Sequence, residues 1–168
     1  MNRIIYMTLF VAALCCSCET EDFSIDPSLM PAATQKGANT FGCVIDGWVY
    51  TGGRYGDPKA IYYPAADETE NDTIAINVRT NEDERISFFI INPKEKGITI
   101  YSLSDTPEKE YNVFTNAVLH GRYGTTELGN GTVNITRFSK DMQIVSGTFE
   151  GDYVKDGRFD ITYTNGEK

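Results

Sequence analysis

Thr73-Ile74-Ala75-Ile76-Asn77-Val78-Arg79 is the stretch from which the fold can be read. Ile74, Ile76 and Val78 fall on one side of an extended chain, and Thr73, Ala75, Asn77 and Arg79 on the other. Successive side chains of a strand point to opposite faces, so a period of two predicts a strand with one face in a core. The β-branched residues on the apolar side suit a pleated, half-buried surface. Arg85–Asn92 follows the polar turn Asn81–Glu84 and stops at Pro93. Its run Phe88-Phe89-Ile90-Ile91 breaks the alternation, which predicts a strand covered on both faces.

The same reading extends outward in both directions. Upstream, Phe41–Ile45 and Trp48–Thr51 flank Asp46-Gly47, a two-residue type I′ hairpin signal. Lys59–Tyr63 is a short strand ending at Pro64. Downstream, Ile98–Leu103, Tyr111–Thr115 and Val118–Tyr123 are strand segments. Thr132–Phe138 and Met142–Phe149 form a hairpin across Ser139-Lys140-Asp141, and Arg158–Tyr163 puts Phe159, Ile161 and Tyr163 on one face. Gly42 and Ser146-Gly147-Thr148 predict bulges or close backbone approaches. About nine or ten strands with no helical periodicity predict one all-β domain over residues 39–168, an antiparallel β-sandwich or a partly closed barrel. Both architectures use the same alternation, so the choice stays open.

Ahead of this domain the chain changes character. Met-Asn-Arg precedes the apolar run Ile4–Leu14, then Cys15-Cys16-Ser17-Cys18 and the acidic Glu19-Thr20-Glu21-Asp22. A cationic start, a short apolar run and small residues at the cut predict a secretory signal over residues 1–17. The run falls short of the roughly 20 apolar residues that span a bilayer. A cysteine at the cut resembles a bacterial lipoprotein signal, which implies lipidation of Cys18. Cys16 is the alternative. Two or more acyl chains anchor a protein stably, at about 0.8 kcal/mol per buried methylene. Residues 18–38, with Pro27, Pro31 and no apolar periodicity, read as the lipidated terminus and a flexible tether, about 20 residues that reach roughly 65–70 Å when extended.

The 168-residue chain holds 24 acidic and 15 basic residues, a net charge of −9, and Arg3 is the only charge in the leader. Such a surface repels nucleic acid and anionic headgroups, so the membrane is reached through covalent lipid. If Cys18 carries lipid, Cys43 has no intramolecular partner, and its apolar neighbours Phe41, Val44 and Ile45 predict a buried structural thiol.

Pro31-Ala32-Ala33-Thr34-Gln35-Lys36-Gly37-Ala38-Asn39-Thr40-Phe41-Gly42-Cys43 and the following Asp46-Gly47-Trp48-Val49-Tyr50 resemble the start of the DUF6252-type lipoproteins of Bacteroidetes. Gly131–Phe138, Val145-Ser146-Gly147-Thr148-Phe149 and Asp156-Gly157-Arg158-Phe159-Asp160 are similar to that family's closing hairpins. The resemblance covers about a third of the domain. It implies a small all-β lipoprotein with no catalytic residues to carry over. Its members place a Trp near Tyr50, whereas this chain carries Trp48. The acidic cluster after Cys18 also resembles the export signal that sends such lipoproteins to the outer face of the outer membrane, with a solvated tether start as the alternative.

Candidate functional residues are few. Trp48, Tyr50, Tyr55, Tyr62 and Tyr63 surround the glycine-rich Thr51–Gly56 and could form a stacking platform for a glycan or a protein, or could face the core. Gly52-Gly53 lacks the lysine and spacing of a phosphate loop. The acidic run Asp67–Asp72 lacks the alternating pattern of a calcium loop. Glu150, Asp152, Asp156 and Asp160 gather near the last turn, and His120 is the only histidine. No nucleophile–base pair or metal-ligand spacing is present, so no cofactor or metal is expected, and no enzyme. The expectation is a lipid-anchored outer-membrane or cell-surface binding module for a glycan or protein, with an accessory subunit of an envelope complex as the alternative.

Overall fold

The computed structural model describes residues 26–67, 69–94, 112–129 and 131–167. The leader, Cys18, the first part of the tether (residues 18–25) and the expected strand Ile98–Leu103 lie outside the described residues. The strands run β1 Thr40–Ile45, β2 Trp48–Thr51, β3 Lys59–Tyr63, β4 Thr73–Arg79, β5 Arg85–Ile91, β6 Val113–Gly121, β7 Gly124–Glu127, β8 Gly131–Ser139, β9 Ile144–Gly151 and β10 Val154–Asn165. A single 3₁₀ turn, Pro27–Leu29, precedes them. The domain is all-β, as the alternation predicts.

The choice between sandwich and barrel falls to the barrel. Strands pair in the order β10-β3-β4-β5-β6-β8-β9, and β9 pairs back onto β10, which closes a seven-stranded ring. Closure removes the sheet edges that a sandwich would leave. Pairing is antiparallel except between β10 and β3, where Tyr163, Thr164 and Asn165 run parallel to Ala60, Ile61 and Tyr62. These two strands lie far apart in the chain, so no tight turn dictates their direction. The β1–β2 hairpin stands outside the ring, on the edge of β10 that β3 also uses. The outer edge of β6 is likewise shared, by β8 near Val113 and by β7 further on.

Local signals explain the elements. Asp46 and Gly47 take φ of 49° and 83°, as a type I′ turn requires, and glycine accepts such an angle without strain. β4 spans the expected residues, with Ile74, Ile76 and Val78 fully buried. β5 departs from expectation. Phe88 and Ile90 face the core, while Phe89 faces out and is 38% exposed, so alternation holds and the strand is not covered on both faces. The predicted segments Tyr111–Thr115 and Val118–Tyr123 merge into β6. The predicted Ser139–Asp141 loop moves to residues 140–143, because Ser139 pairs with Ile144 and Met142 lies in the turn. β7, an all-polar and fully exposed strand, carries no apolar signal and was not foreseen.

Both bulge signals find a counterpart. The β1–β10 register slips between Gly42 and Val44. Opposite Ser146-Gly147 the extra residue sits on the partner strand, where Thr136 is passed over between Ile135 and Arg137.

The interior is one cluster built on five phenylalanines. Phe88 lies 4.9 Å from Phe114 and 5.1 Å from Phe149, and Phe149 lies 5.5 Å from Phe41 and 6.1 Å from Phe159, ring centre to ring centre. Tilted and offset rings at this spacing add to the burial term. Truncating a buried ring of this kind to alanine costs about 3–5 kcal/mol. Cys43 is fully buried and unpaired here; burial pushes its thiol pKa far up, which leaves it an inert core residue.

Candidate functional site

The structure splits the five aromatic candidates. Tyr62, on β3, is only 5% exposed, with its ring 5.6 Å from Phe138 and 5.5 Å from Tyr163. Its hydroxyl donates to Asp72 at 2.8 Å, and Lys140 lies over the ring. Tyr62 is therefore part of the core and offers no surface. Tyr63 is half-buried at the far end of β3, beside Gly166.

Trp48 and Tyr50 stay together because they are two apart on β2. Trp48 is 54% exposed, whereas Tyr50 packs partly on the core. They border a groove of about 890 Å³ that Glu84, His120, Arg122 and Tyr123 also line. Tyr123, at the β6–β7 turn, is 96% exposed, and spacing gave no sign that it belonged with Trp48. Asn81 fixes the geometry. Its side-chain oxygen accepts from the Thr51 amide at 2.9 Å and its backbone N–H donates to the Thr51 carbonyl at 2.8 Å, locking the β4–β5 turn against β2. Burial and then the nearby carboxylates of Glu84 and Glu82 push the Tyr50 hydroxyl pKa above its ordinary value. The groove is thus aromatic with an acidic side. His120 is exposed on β6, with Nδ1 2.9 Å from the Thr125 hydroxyl.

Tyr55, in the β2–β3 connection, does not line this groove. It is 42% exposed, and the guanidinium groups of Arg54 and Arg79 lie 5.4 and 5.3 Å from its ring centre. It borders a second, smaller pocket of about 460 Å³ with Lys59, Asn77, Arg79 and Arg85.

The acidic candidates divide between ones bound within the fold and ones left exposed. In the acidic run, Asp67 accepts from the Thr69 amide and hydroxyl. Asp72 accepts from the Ala65 amide at 2.8 Å as well as from Tyr62. Among the described residues no group of three or more His, Cys, Asp or Glu could hold a metal ion. The carboxylates near the last turn separate: Glu150, Asp152 and Asp156 are exposed, while Asp160 is 1% exposed.

Asp160 corrects the expected tether. Its side chain points outward from β10, yet it is buried because residues 34–38 lie over it. It accepts from Thr34 Oγ1 at 2.5 Å, from the amides of Lys36, Gly37 and Ala38 at 2.9, 2.8 and 3.1 Å, and from Ser146 Oγ at 2.7 Å. Burial raises its pKa, but the hydrogen bonds from Ser146, Thr34 and the backbone outweigh that and hold it near about 2. Arg158 and Arg137 donate to the carbonyls of Pro31 and Gln35. Pro31 sits so close over Gly42 that a Cβ there would lie 2.5 Å from Pro31 Cδ. Residues 31–38 are therefore a docked arm and not a flexible tether. The signal was present in Phe159-Asp160-Ile161, a carboxylate between two core residues, but what covers it could not be read locally.

Set against known proteins, the chain matches no family model, no curated relative and no solved structure.

Proposed function

We propose that this protein is a non-catalytic binding module, lipid-anchored through Cys18 to the outer membrane or cell surface, whose groove between Trp48 and Tyr123 takes a glycan. The observation that carries the reading is the placement of two exposed aromatic side chains, from separate elements, along one groove beside the Asn81–Thr51 hydrogen bonds. Tryptophan and tyrosine present a flat apolar face with a polar edge, which suits stacking on a sugar ring at low entropic cost. Glu84, His120 and Arg122 add hydrogen-bonding groups for its hydroxyls. The lipoprotein leader, the acidic residues after Cys18 and the resemblance to the DUF6252-type family support placement at the envelope.

A glycan array probed with the parent chain, Trp48→Ala and Tyr123→Ala tests the ligand class. Binding that falls about tenfold or more in each variant, with unchanged melting temperature, is the expected result. One stacked aromatic contributes about 1.4 kcal/mol or more at that ratio. Intact mass of the protein taken from its membrane should show acylation at Cys18, lost in Cys18→Ser.

The alternative, an accessory subunit of an envelope complex, is favoured by one feature. β7 pairs β6 on one side only among the described residues, and all four of its residues are exposed. A partner strand could add to such an edge. No retained glycan together with co-purification of a fixed partner would select this reading.

A further inference from the structure

We infer that the pocket beside Tyr55 binds an oxyanion, the carboxylate or sulfate ester of an acidic saccharide. Arg79 on β4 and Arg85 on β5 are directly opposite each other on the outer face of the sheet. Like charges in that relation destabilise a strand pair. Lys59 stands on the neighbouring strand opposite Asn77, two residues along from Arg79 and so on the same face. Arg54 reaches over from the β2–β3 loop, and it and Arg79 are both held at the Tyr55 ring. Three cations, Lys59, Arg79 and Arg85, thus line one pocket in a chain whose net charge is −9.

The carboxylates nearby neutralise only one of these cations, Arg79. Asp83 takes the Arg79 Nε at 2.6 Å, which orients that guanidinium. Asp57 lines the pocket without an ion pair among the described residues. Arg85 and Lys59 likewise make no ion pair among the described residues. An oxyanion between Arg79 and Arg85 would convert their repulsion into two charge-assisted bonds, with planar guanidinium groups matching its geometry. The pocket, about 460 Å³, has room for one sugar residue carrying the charge, with Asn77 and Asp57 beside it for hydroxyls. The saccharide part of this inference rests on the glycan reading above; the oxyanion part does not.

The test is titration of the detergent-solubilised full chain with trigalacturonic acid, its methyl ester, a sulfated galactose oligomer and inorganic sulfate. The carboxylate or the sulfated oligomer should bind about tenfold or more tightly than the neutral ester, and whichever binds identifies the oxyanion. Arg85→Gln should remove that preference while melting at or above the parent temperature, because it relieves a like-charge pair. A merely structural arginine would lower the melting temperature and leave the preference intact. Trp48→Ala should leave the acid bound more tightly than the ester, even where it weakens both probes. Equal binding of acid and ester, abolished by Trp48→Ala, would overturn this site and keep the glycan groove. Binding of inorganic sulfate with no saccharide bound would overturn the saccharide assignment. No response to any of the probes would overturn the site altogether.

Discussion

Asp160 and Arg85 are both charged residues on the outer face of the same barrel, and the fold treats them in opposite ways. Asp160 is covered by the N-terminal arm and met by five donors. Arg85 is exposed and faces another arginine across the strand pair. A buried carboxylate must have its lone pairs filled, because an unfilled one costs far more than a hydrogen bond returns. An exposed cation can stay unpaired in water at little cost. The contrast separates electrostatics completed for stability on β9 and β10 from electrostatics left open on β4 and β5. The open side is where a ligand finds something to complete.

Removing the Asp160 carboxylate should break this comparison most severely. Asp160→Ala leaves its donors buried without an acceptor and should cost about 3 kcal/mol. It should also expose the Lys36, Gly37 and Ala38 amides to hydrogen exchange; amides that stay protected would mean the arm is held by something else. Acid should reproduce much of this. The folded-state pKa of Asp160, about 2, lies below the ordinary aspartate value of about 3.9, so its contribution is fully present above that value and is lost as pH falls toward 2. The loss should be on the order of 2 kcal/mol, read from denaturant melts between those pH values, and absent from Asp160→Asn.

A smaller effect with the opposite sign is expected at Thr80. This residue is fully buried at the base of the β4–β5 turn, and its hydroxyl has no hydrogen-bond partner among the described residues. Thr80→Val should raise stability by about 1 kcal/mol, since it removes an unsatisfied polar group at nearly constant shape. A loss of stability would point to a partner for that hydroxyl. Arg85→Gln should move the melting temperature least, upward or not at all, while the pocket loses one of its cations.

The aromatic candidates show how far local pattern reaches. Trp48 and Tyr50 share a face because they are two apart, which spacing conveys. Whether that face is inside or outside depends on the β1–β2 hairpin standing outside the ring. Tyr62 and Tyr63 alternate legibly, but that Tyr62 is the buried one follows from Phe138 and Tyr163 meeting it across pairings distant in sequence. Arg79 and Arg85 bracket the turn Asn81–Glu84, so their opposition could have been inferred from the hairpin register. Tyr123 could not have been joined to Trp48, because only the packing of separate turns brings them to one groove.

The amino-acid order by itself determined the all-β class, the Asp46-Gly47 turn and most strand positions, including β4 residue for residue. These rest on backbone sterics and side-chain alternation, which act within a few residues. Tertiary structure alone decided the closed barrel, the parallel β10–β3 pairing, the docking of residues 31–38 and the division of the aromatics between core and groove. Those outcomes depend on contacts between residues such as Asp160 and Thr34, more than a hundred positions apart, whose free energy appears only once the chain has folded around them.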